Sequence, residues 1–150
     1  MNLILWRHAE AEDGQDDLQR ALTRRGRKQA EAVANWLRAH APADLQIMAS
    51  PAVRTRQTAD ALGLEYAVVP ELAPDAAPAH VLAATGWPLS RRPVLVVGHQ
   101  PTLGRVASTL LAGVDLPWSL KKGGLWWLAR RQRDEDFQVV VKAVVNPEFV

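Results

Sequence analysis

Apolar residues along the chain fall into short runs separated by longer segments of mixed polarity. Short apolar runs of this kind form the buried strands of parallel sheets, and they cover residues 2–6, 45–49, 66–69 and 94–97. Towards the C-terminus, two further strands are predicted at 124–129 and 137–144, joined by a charged turn. The pattern therefore predicts six strands, of which the last two form an antiparallel pair.

Helices are predicted between these strands. The first has apolar residues spaced i, i+3, i+4 and i+7, typical of one buried helix face, at Ala30, Val33, Ala34 and Leu37. Thr23 is its predicted N-cap. Ser50 followed by Pro51 predicts the start of the second helix, because serine caps and proline fits the first helical position. Two more helices are expected near 80–85 and 102–111.

The resulting order, β-α-β-α-β-α-β-α-β-β, predicts the α/β class. We expect a single-domain three-layer α/β/α sandwich over residues 1–150, with a mostly parallel central sheet and an antiparallel edge pair. A chain of 150 residues can bury a sufficient core without disulfides or metals.

Composition narrows the functional classes. The chain has no cysteine, which excludes disulfides, thiolate nucleophiles and thiolate zinc sites. Its 18 basic and 16 acidic residues give a net charge of +2, so nothing indicates nucleic acid or membrane binding. No apolar run is long enough to span a bilayer, and no secretory signal is recognisable at the N-terminus. We expect a cytoplasmic monomer.

Three of the predicted strands end in residues that carry chemistry. Arg7 and His8 follow the first strand, Ser50 leads to Arg54 after the second, and His99 follows the strand at 94–97. Ligands of open α/β sheets bind beyond the carboxyl ends of the strands, so these residues are expected to converge. Arginine is shaped to hold phosphate, and histidine can act as a nucleophile. The convergence predicts phosphoryl chemistry.

Five segments in order resemble the histidine phosphatase superfamily, also called phosphoglycerate mutase-like. They are Leu5–Glu10 (R-H-G/A), Arg20–Gly26 (R-x-L-T-x-x-G), Ser50–Thr58 (S-P-x-x-R-x-x-Q-T), Pro70–Pro74 (P-E-L-x-P) and Gly98–Pro101 (G-H). The second and fourth are similar to segments of the small phosphohistidine phosphatases of the SixA type. The resemblance implies a phosphoglycerate mutase-like fold.

The resemblance also implies roles for individual residues. His8 would be phosphorylated on nitrogen and then hydrolysed, while Arg7, Arg54 and His99 would bind the phosphoryl oxygens and Arg20 would be an auxiliary substrate contact. Because a neutral ring is the nucleophile, the other nitrogen of His8 should donate to a backbone carbonyl. Arginines can supply the charge stabilisation, so neither a metal nor another cofactor is expected.

The expected substrate is a phosphohistidine on a partner protein, such as a phosphotransfer domain. One alternative is a small phosphorylated metabolite such as a sugar phosphate, hydrolysed by a phosphomonoesterase of the same superfamily. Another is a noncatalytic phosphopeptide-binding module. A zinc site built from His8, Glu10, Glu12 and His99 is a further chemical alternative.

The residue that would protonate the leaving group stays open. The candidates are Glu71, Glu10 and the loop acids Asp13, Asp16 and Asp17. We count Glu71 as a candidate substrate-binding residue. Gly124 is another, because a glycine before a strand can bring a backbone amide close to a phosphate.

Overall fold

The computed structural model describes residues 1–150 as six strands and four α-helices, in the predicted order. The strands are β1 (Asn2–Arg7), β2 (Gln46–Ala49), β3 (Ala67–Val68), β4 (Val94–Gly98), β5 (Leu125–Arg133) and β6 (Asp136–Val145). The helices are α1 (Arg24–His40), α2 (Val53–Asp60), α3 (Pro78–Thr85) and α4 (Thr102–Ala112). Each helix is too short or too polar to cross a lipid bilayer.

All six strands form one sheet in the order β3-β2-β4-β1-β5-β6. Strands β1 to β4 are parallel to one another, while β5 is antiparallel to β1 and to β6. The mostly parallel sheet with an antiparallel edge pair is thus confirmed. The register pairs Arg7 at the end of β1 with Gly98 at the end of β4. This register places His8 and His99, the residues that follow, at the same edge.

The core is divided by the sheet into two apolar layers. Because side chains of a strand alternate between faces, Ile4 and Trp6 of β1 pack on one side with residues of α1 and α2. Leu3 and Leu5 pack on the other side with residues of α3 and α4. All four side chains are fully buried. The three-layer α/β/α arrangement follows from this two-sided burial.

The start of one helix was predicted correctly and that of another was not. Thr23 caps α1 as predicted, since its hydroxyl accepts a hydrogen bond from the Gly26 amide at 2.9 Å. The prediction that Ser50 caps α2 is wrong, because the helix begins at Val53. The Ser50 hydroxyl is instead 2.7 Å from the ring of His99.

Gly26 in the first turn of α1 lies against the loop that follows His8. A Cβ atom there would overlap the backbone carbonyl of Glu10. The same loop is held by Thr23, whose hydroxyl donates to the Glu10 carboxylate at 2.9 Å. Close contact with α1 therefore fixes the chain just beyond the strand end.

Candidate active site

Residues from three strand ends line one cavity of about 370 Å³ at the carboxyl edge of the sheet. The predicted residues that line it are Arg7, His8, Arg20, Arg54 and His99. A cavity of this size lies at the lower end of the range for small-molecule sites. The structure therefore brings together the candidate catalytic residues and Arg20.

His8 is buried and has a defined tautomer. Its Nδ1 lies 2.7 Å from the carbonyl oxygen of Ala9, which can only accept, so Nδ1 carries the proton. Burial lowers the pKa of His8 to about 4, against the effect of that hydrogen bond, and the nearby charges of Arg54 and Arg7 lower it further. At neutral pH the ring is therefore uncharged, with its lone pair on Nε2.

The backbone around His8 is held on both sides. Its amide donates to the carbonyl of Gly98 at 3.0 Å, and its carbonyl accepts from the amide of Gly123 at 3.0 Å. The next amide, that of Ala9, donates to the Thr58 hydroxyl at 3.1 Å. The sheet, α2 and the turn before β5 together position the nucleophile candidate.

Arg7 has a cationic group without a carboxylate partner. Its Nη1 donates to the carbonyl of Leu120 at 2.8 Å, and its Nε is buried without a hydrogen-bond partner. Burial lowers the pKa of Arg7 from its ordinary value. None of the ion pairs in the structure includes Arg7. The charge is available to an anion.

Arg54 is almost fully buried, with 3% of its surface exposed. It donates from Nη1 to the carbonyl of Asp17 at 2.7 Å and from Nη2 to the Asp17 carboxylate at 3.1 Å. The same carboxylate accepts from Nε of Arg20 at 3.1 Å. One acid thus orients the two arginines that follow it in the chain.

Asp17 is a carboxylate at neutral pH. Partial burial raises its pKa, but hydrogen bonds from Arg20 and Arg54, together with their charges, outweigh this effect and hold the pKa below its ordinary value. A group with a lowered pKa is a poor proton donor. Among the predicted acid candidates, Asp17 is therefore a positioning group for the arginines.

His99 lies opposite His8, with the two ring centroids 5.4 Å apart. Its Nε2 is hydrogen-bonded to the Ser50 hydroxyl at 2.7 Å. Burial lowers the pKa of His99 to about 3, with further lowering from His8 and Arg54. Its Nδ1 is buried and has no partner. Of the six such unpartnered atoms in the structure, three belong to Arg7, Arg54 and His99 in this cavity.

Other residues of the motifs support the site. Gln57 accepts a hydrogen bond from the Leu22 amide at 2.7 Å and so ties α2 to the segment before α1. Gln100 accepts from the Gly104 amide at 2.8 Å and donates to the carbonyl of Trp118 at 2.7 Å. These side-chain bonds to backbone hold together loops that are distant in sequence.

Two candidate substrate-binding residues lie outside the cavity. Glu71 is exposed in a shallow depression beside Val69 and His80, because the turn that contains it directs Leu72 into the core instead. Gly124 lies behind Arg7, whose amide donates to the Gly124 carbonyl at 3.0 Å. We expected the backbone amide of Gly124 to approach the phosphate. In the structure it is the Gly124 carbonyl that takes part, by accepting the hydrogen bond from β1.

The cavity also contains residues that sequence reasoning did not single out. They are Ala11, Pro74, Asp75, Gln100 and Lys122, which join the loop acids Asp13 and Asp17. Pro74 ends the P-E-L-x-P segment and Asp75 follows it, so the end of the segment is at the site although its glutamate is not. No signal in the sequence indicated Lys122.

The zinc alternative is not formed. No group of three or more histidine, aspartate or glutamate side chains is arranged to hold a metal ion. Glu12 is exposed, and the carboxylate of Glu10 accepts from Thr23. The two acids are therefore not assembled with the histidines as ligands.

Comparison with known proteins agrees with this geometry. Residues 3–77 match the model of the histidine phosphatase superfamily (branch 1). An uncharacterised Mycobacterium tuberculosis protein is 36% identical over 115 residues, and the phosphohistidine phosphatase SixA of Escherichia coli is 29% identical over 128; the match covers 73% and 78%, respectively, of both chains.

Solved structures show the same fold. The putative phosphohistidine phosphatase SixA from Nakamurella multipartita superposes with a TM-score of 0.80 and 30% identity, over 97% of this chain and 95% of that one. A phosphoserine phosphatase from Entamoeba histolytica shares the fold at 16% identity, with a TM-score of 0.70 over 95% of each chain. The predicted phosphoglycerate mutase-like fold is confirmed, and the chain belongs to the histidine phosphatase superfamily as a member of its SixA type.

Proposed function

We propose that this chain is a phosphatase that hydrolyses phosphohistidine on a partner protein through a phosphorylated His8. The observation that supports this most directly is the state of His8: a neutral ring, its proton fixed on Nδ1 by Ala9, with Nε2 free. A nucleophile must present a lone pair, and here no separate base is needed to generate one. We propose that residues 1–150 act as one catalytic domain.

In the first step, Nε2 of His8 attacks phosphorus in line and the phosphorus–nitrogen bond of the substrate breaks. The substrate imidazole leaves as a neutral ring when its other nitrogen already carries a proton. The His8 ring becomes cationic, and the Ala9 carbonyl at Nδ1 stabilises that charge. In the second step water attacks phosphorus, the bond to Nε2 breaks with its electron pair returning to the ring, and dihydrogen phosphate leaves with both protons of the water.

The phosphoryl oxygens would be held by Arg7, Arg54 and His99. The buried Nε–H groups of Arg7 and Arg54 are donors without an acceptor, and Nδ1 of His99 is one when the Ser50 hydroxyl donates to Nε2; a phosphoryl group supplies three oxygens. Arginines fixed before the reaction stabilise the charge of the transition state without reorganisation. This accounts for turnover without assigning a step to a metal.

Two of the predicted proton donors, Asp17 and Glu71, are not placed to protonate a leaving group in this cavity. Asp17 is held as a carboxylate by two arginines, and Glu71 lies elsewhere. An alkoxide leaving group, as in a phosphate monoester, requires an acid, whereas a protonated imidazole does not.

A second candidate function is hydrolysis of small phosphate monoesters. Asp13 and Asp75 line the cavity, and either could protonate an alcohol leaving group. The Entamoeba histolytica phosphoserine phosphatase has the same fold.

The test compares wild type with His8→Ala, and with His80→Ala as a control because His80 is exposed and does not line the cavity. Each is assayed on a phosphohistidine-bearing phosphotransfer domain and on para-nitrophenyl phosphate. We expect turnover of the phosphohistidine protein by wild type and the control, and none by His8→Ala. Retained activity in His8→Ala would refute the nucleophile, and turnover of the monoester alone would favour the second function.

A further inference from the structure

A second cavity of about 450 Å³ adjoins the candidate active site. The two cavities share Arg7 and Lys122 as lining residues. The second one lies between the first turn of α1, the turn before β5 and the C-terminal segment after β6. The two cavities are therefore neighbours, with Arg7 and Lys122 between them.

The lining of this basic cleft carries an excess of positive charge. Its charged residues are Arg7, Arg25, Lys121, Lys122, Glu10 and Glu148. Four cations face two acids, so the cleft has a net charge of +2, as large as that of the whole chain. A local excess of positive charge therefore lies beside the site in a protein whose charges are otherwise nearly balanced.

Most of these cationic side chains form no ion pair within the protein. Lys121 and Lys122 form no ion pair, and the contact of Arg25 with the Glu10 carboxylate is long, at 3.8 Å. That carboxylate is also engaged by the Thr23 hydroxyl at 2.9 Å. The acids of the cleft therefore do not neutralise its lysines, and an incoming anion meets uncompensated charge.

The cleft is also fixed in position relative to His8. The backbone between the lysines and β5 is anchored where the Gly123 amide donates to the His8 carbonyl at 3.0 Å, and the Gly123 carbonyl accepts from Trp6 Nε1 at 2.8 Å. On the opposite wall, Gln29 accepts from the Glu10 amide at 3.0 Å. An anion bound in the cleft would thus be at a defined distance from the phosphoryl group.

We propose that the basic cleft binds carboxylate side chains that flank the phosphohistidine on the partner protein, and that it gives the enzyme a preference for acidic surroundings of the target. This inference rests on the proposed function. The cavity contains no apolar side chain other than that of Pro147, so a hydrophobic segment has nothing to pack against. Carboxylates match lysine and arginine in charge and hydrogen bonding.

The test uses a double variant, Arg25→Gln with Lys121→Gln. Both side chains are exposed and line only the basic cleft, so the phosphoryl site stays intact. The matched control is Arg24→Gln with Lys28→Gln, which removes two exposed charges from α1 outside the cleft. The substrates are a phosphohistidine peptide flanked by aspartates, the same peptide flanked by asparagines, and phosphoramidate.

We expect wild type and the control to hydrolyse the aspartate peptide with a higher kcat/KM than the asparagine peptide. In the double variant, kcat/KM for the aspartate peptide should fall about three- to tenfold, as two exposed ion pairs allow. The asparagine peptide and phosphoramidate should change less than twofold. Added salt should reduce the preference in wild type.

Equal rates of wild type on the two peptides, an equal loss on all three substrates, or an equal loss in the control would overturn the cleft proposal alone. If wild type leaves both peptides phosphorylated, the proposed function fails and the cleft proposal falls with it. A parallel assay uses two phosphate monoesters, one with a carboxylate group and one without. It distinguishes a carboxylate on a partner protein from a carboxylate on a small metabolite. Sensitivity of the double variant to the monoester pair but not to the peptides would assign the cleft to metabolites and refute the proposal.

Discussion

The two buried histidines should make the protein sensitive to acid. Burial, the largest cause in each case, lowers the pKa of His8 to about 4 and that of His99 to about 3, from an ordinary value of 6.5. In the unfolded chain both rings would take up a proton near pH 6.5. Between that pH and about 4 the unfolded state therefore binds more protons than the folded state, and stability must fall as the pH falls.

The size of the effect follows from linkage. Between pH 7.5 and 4.5, each histidine should lower the free energy of unfolding by about 2.5 kcal/mol, and the pair by about 5 kcal/mol. That is a large share of the stability of a typical domain. The assay is urea unfolding at the two pH values, for wild type, His8→Asn, His99→Asn and His80→Gln.

We expect the acid-induced loss in the free energy of unfolding to be about 2.5 kcal/mol smaller in His8→Asn and in His99→Asn than in wild type. His80 is exposed, so His80→Gln should behave like wild type. Comparison within this set removes the contribution of carboxyl groups, which all four proteins retain. An equal loss in all four would refute the reasoning, because the two buried rings would then not be the source of the acid sensitivity.

Three further substitutions test contacts that hold the site. Asp17→Asn removes the counter-charge of Arg54. It should lower the free energy of unfolding, measured by chemical denaturation, by about 1 kcal/mol, since Asp17 is half exposed. It should also strengthen inhibition by inorganic phosphate, because Arg54 then lacks its carboxylate partner. Ser50→Ala leaves an imidazole nitrogen unpartnered and should cost about 1–3 kcal/mol with a lower kcat. Ser90→Ala is its control, since the buried Ser90 hydroxyl has no partner, and an equal cost there would refute the argument. Gly26→Ala should lower thermal stability by about 1–3 kcal/mol despite better helix propensity; an unchanged or raised Tm would contradict the backbone overlap.

The order of elements could be predicted because each one has its signal in its own residues. The apolar run at 94–97 is long enough to be buried on both faces, and the spacing of Val33 and Leu37 in α1 is helical. The predicted start of α2 was wrong because Ser50 takes part in a tertiary contact. Ser50 is a good cap in isolation, but its hydroxyl accepts only from the Ala52 amide, at 3.3 Å before the helix begins, and is also bonded to His99, 49 residues away. Local patterns do not contain that contact.

The site shows the same contrast between residues with a local sequence signal and contacts that depend on the tertiary structure. His8 and His99 could be placed together because each follows a parallel strand, and strand ends meet at one edge. The pairing of Asp17 with Arg54 could not be predicted, since it joins a loop to a helix 37 residues later. Lys122 likewise reaches the cavity from a turn with no distinctive pattern. What was missed is contributed by loops, whose paths depend on the packed structure.

The place of β1 within the sheet has a consequence for how the molecule is made. The first strand of the chain is an interior strand, paired with β4 on one side and β5 on the other. During synthesis it must wait for residues 94–98 and then for residues 125–129 before both edges are covered. Such pairing is dominated by long sequence separations and is slow to form. The backbone of His8, the proposed nucleophile, is therefore held on both sides only after Gly98 and Gly123 have been synthesised.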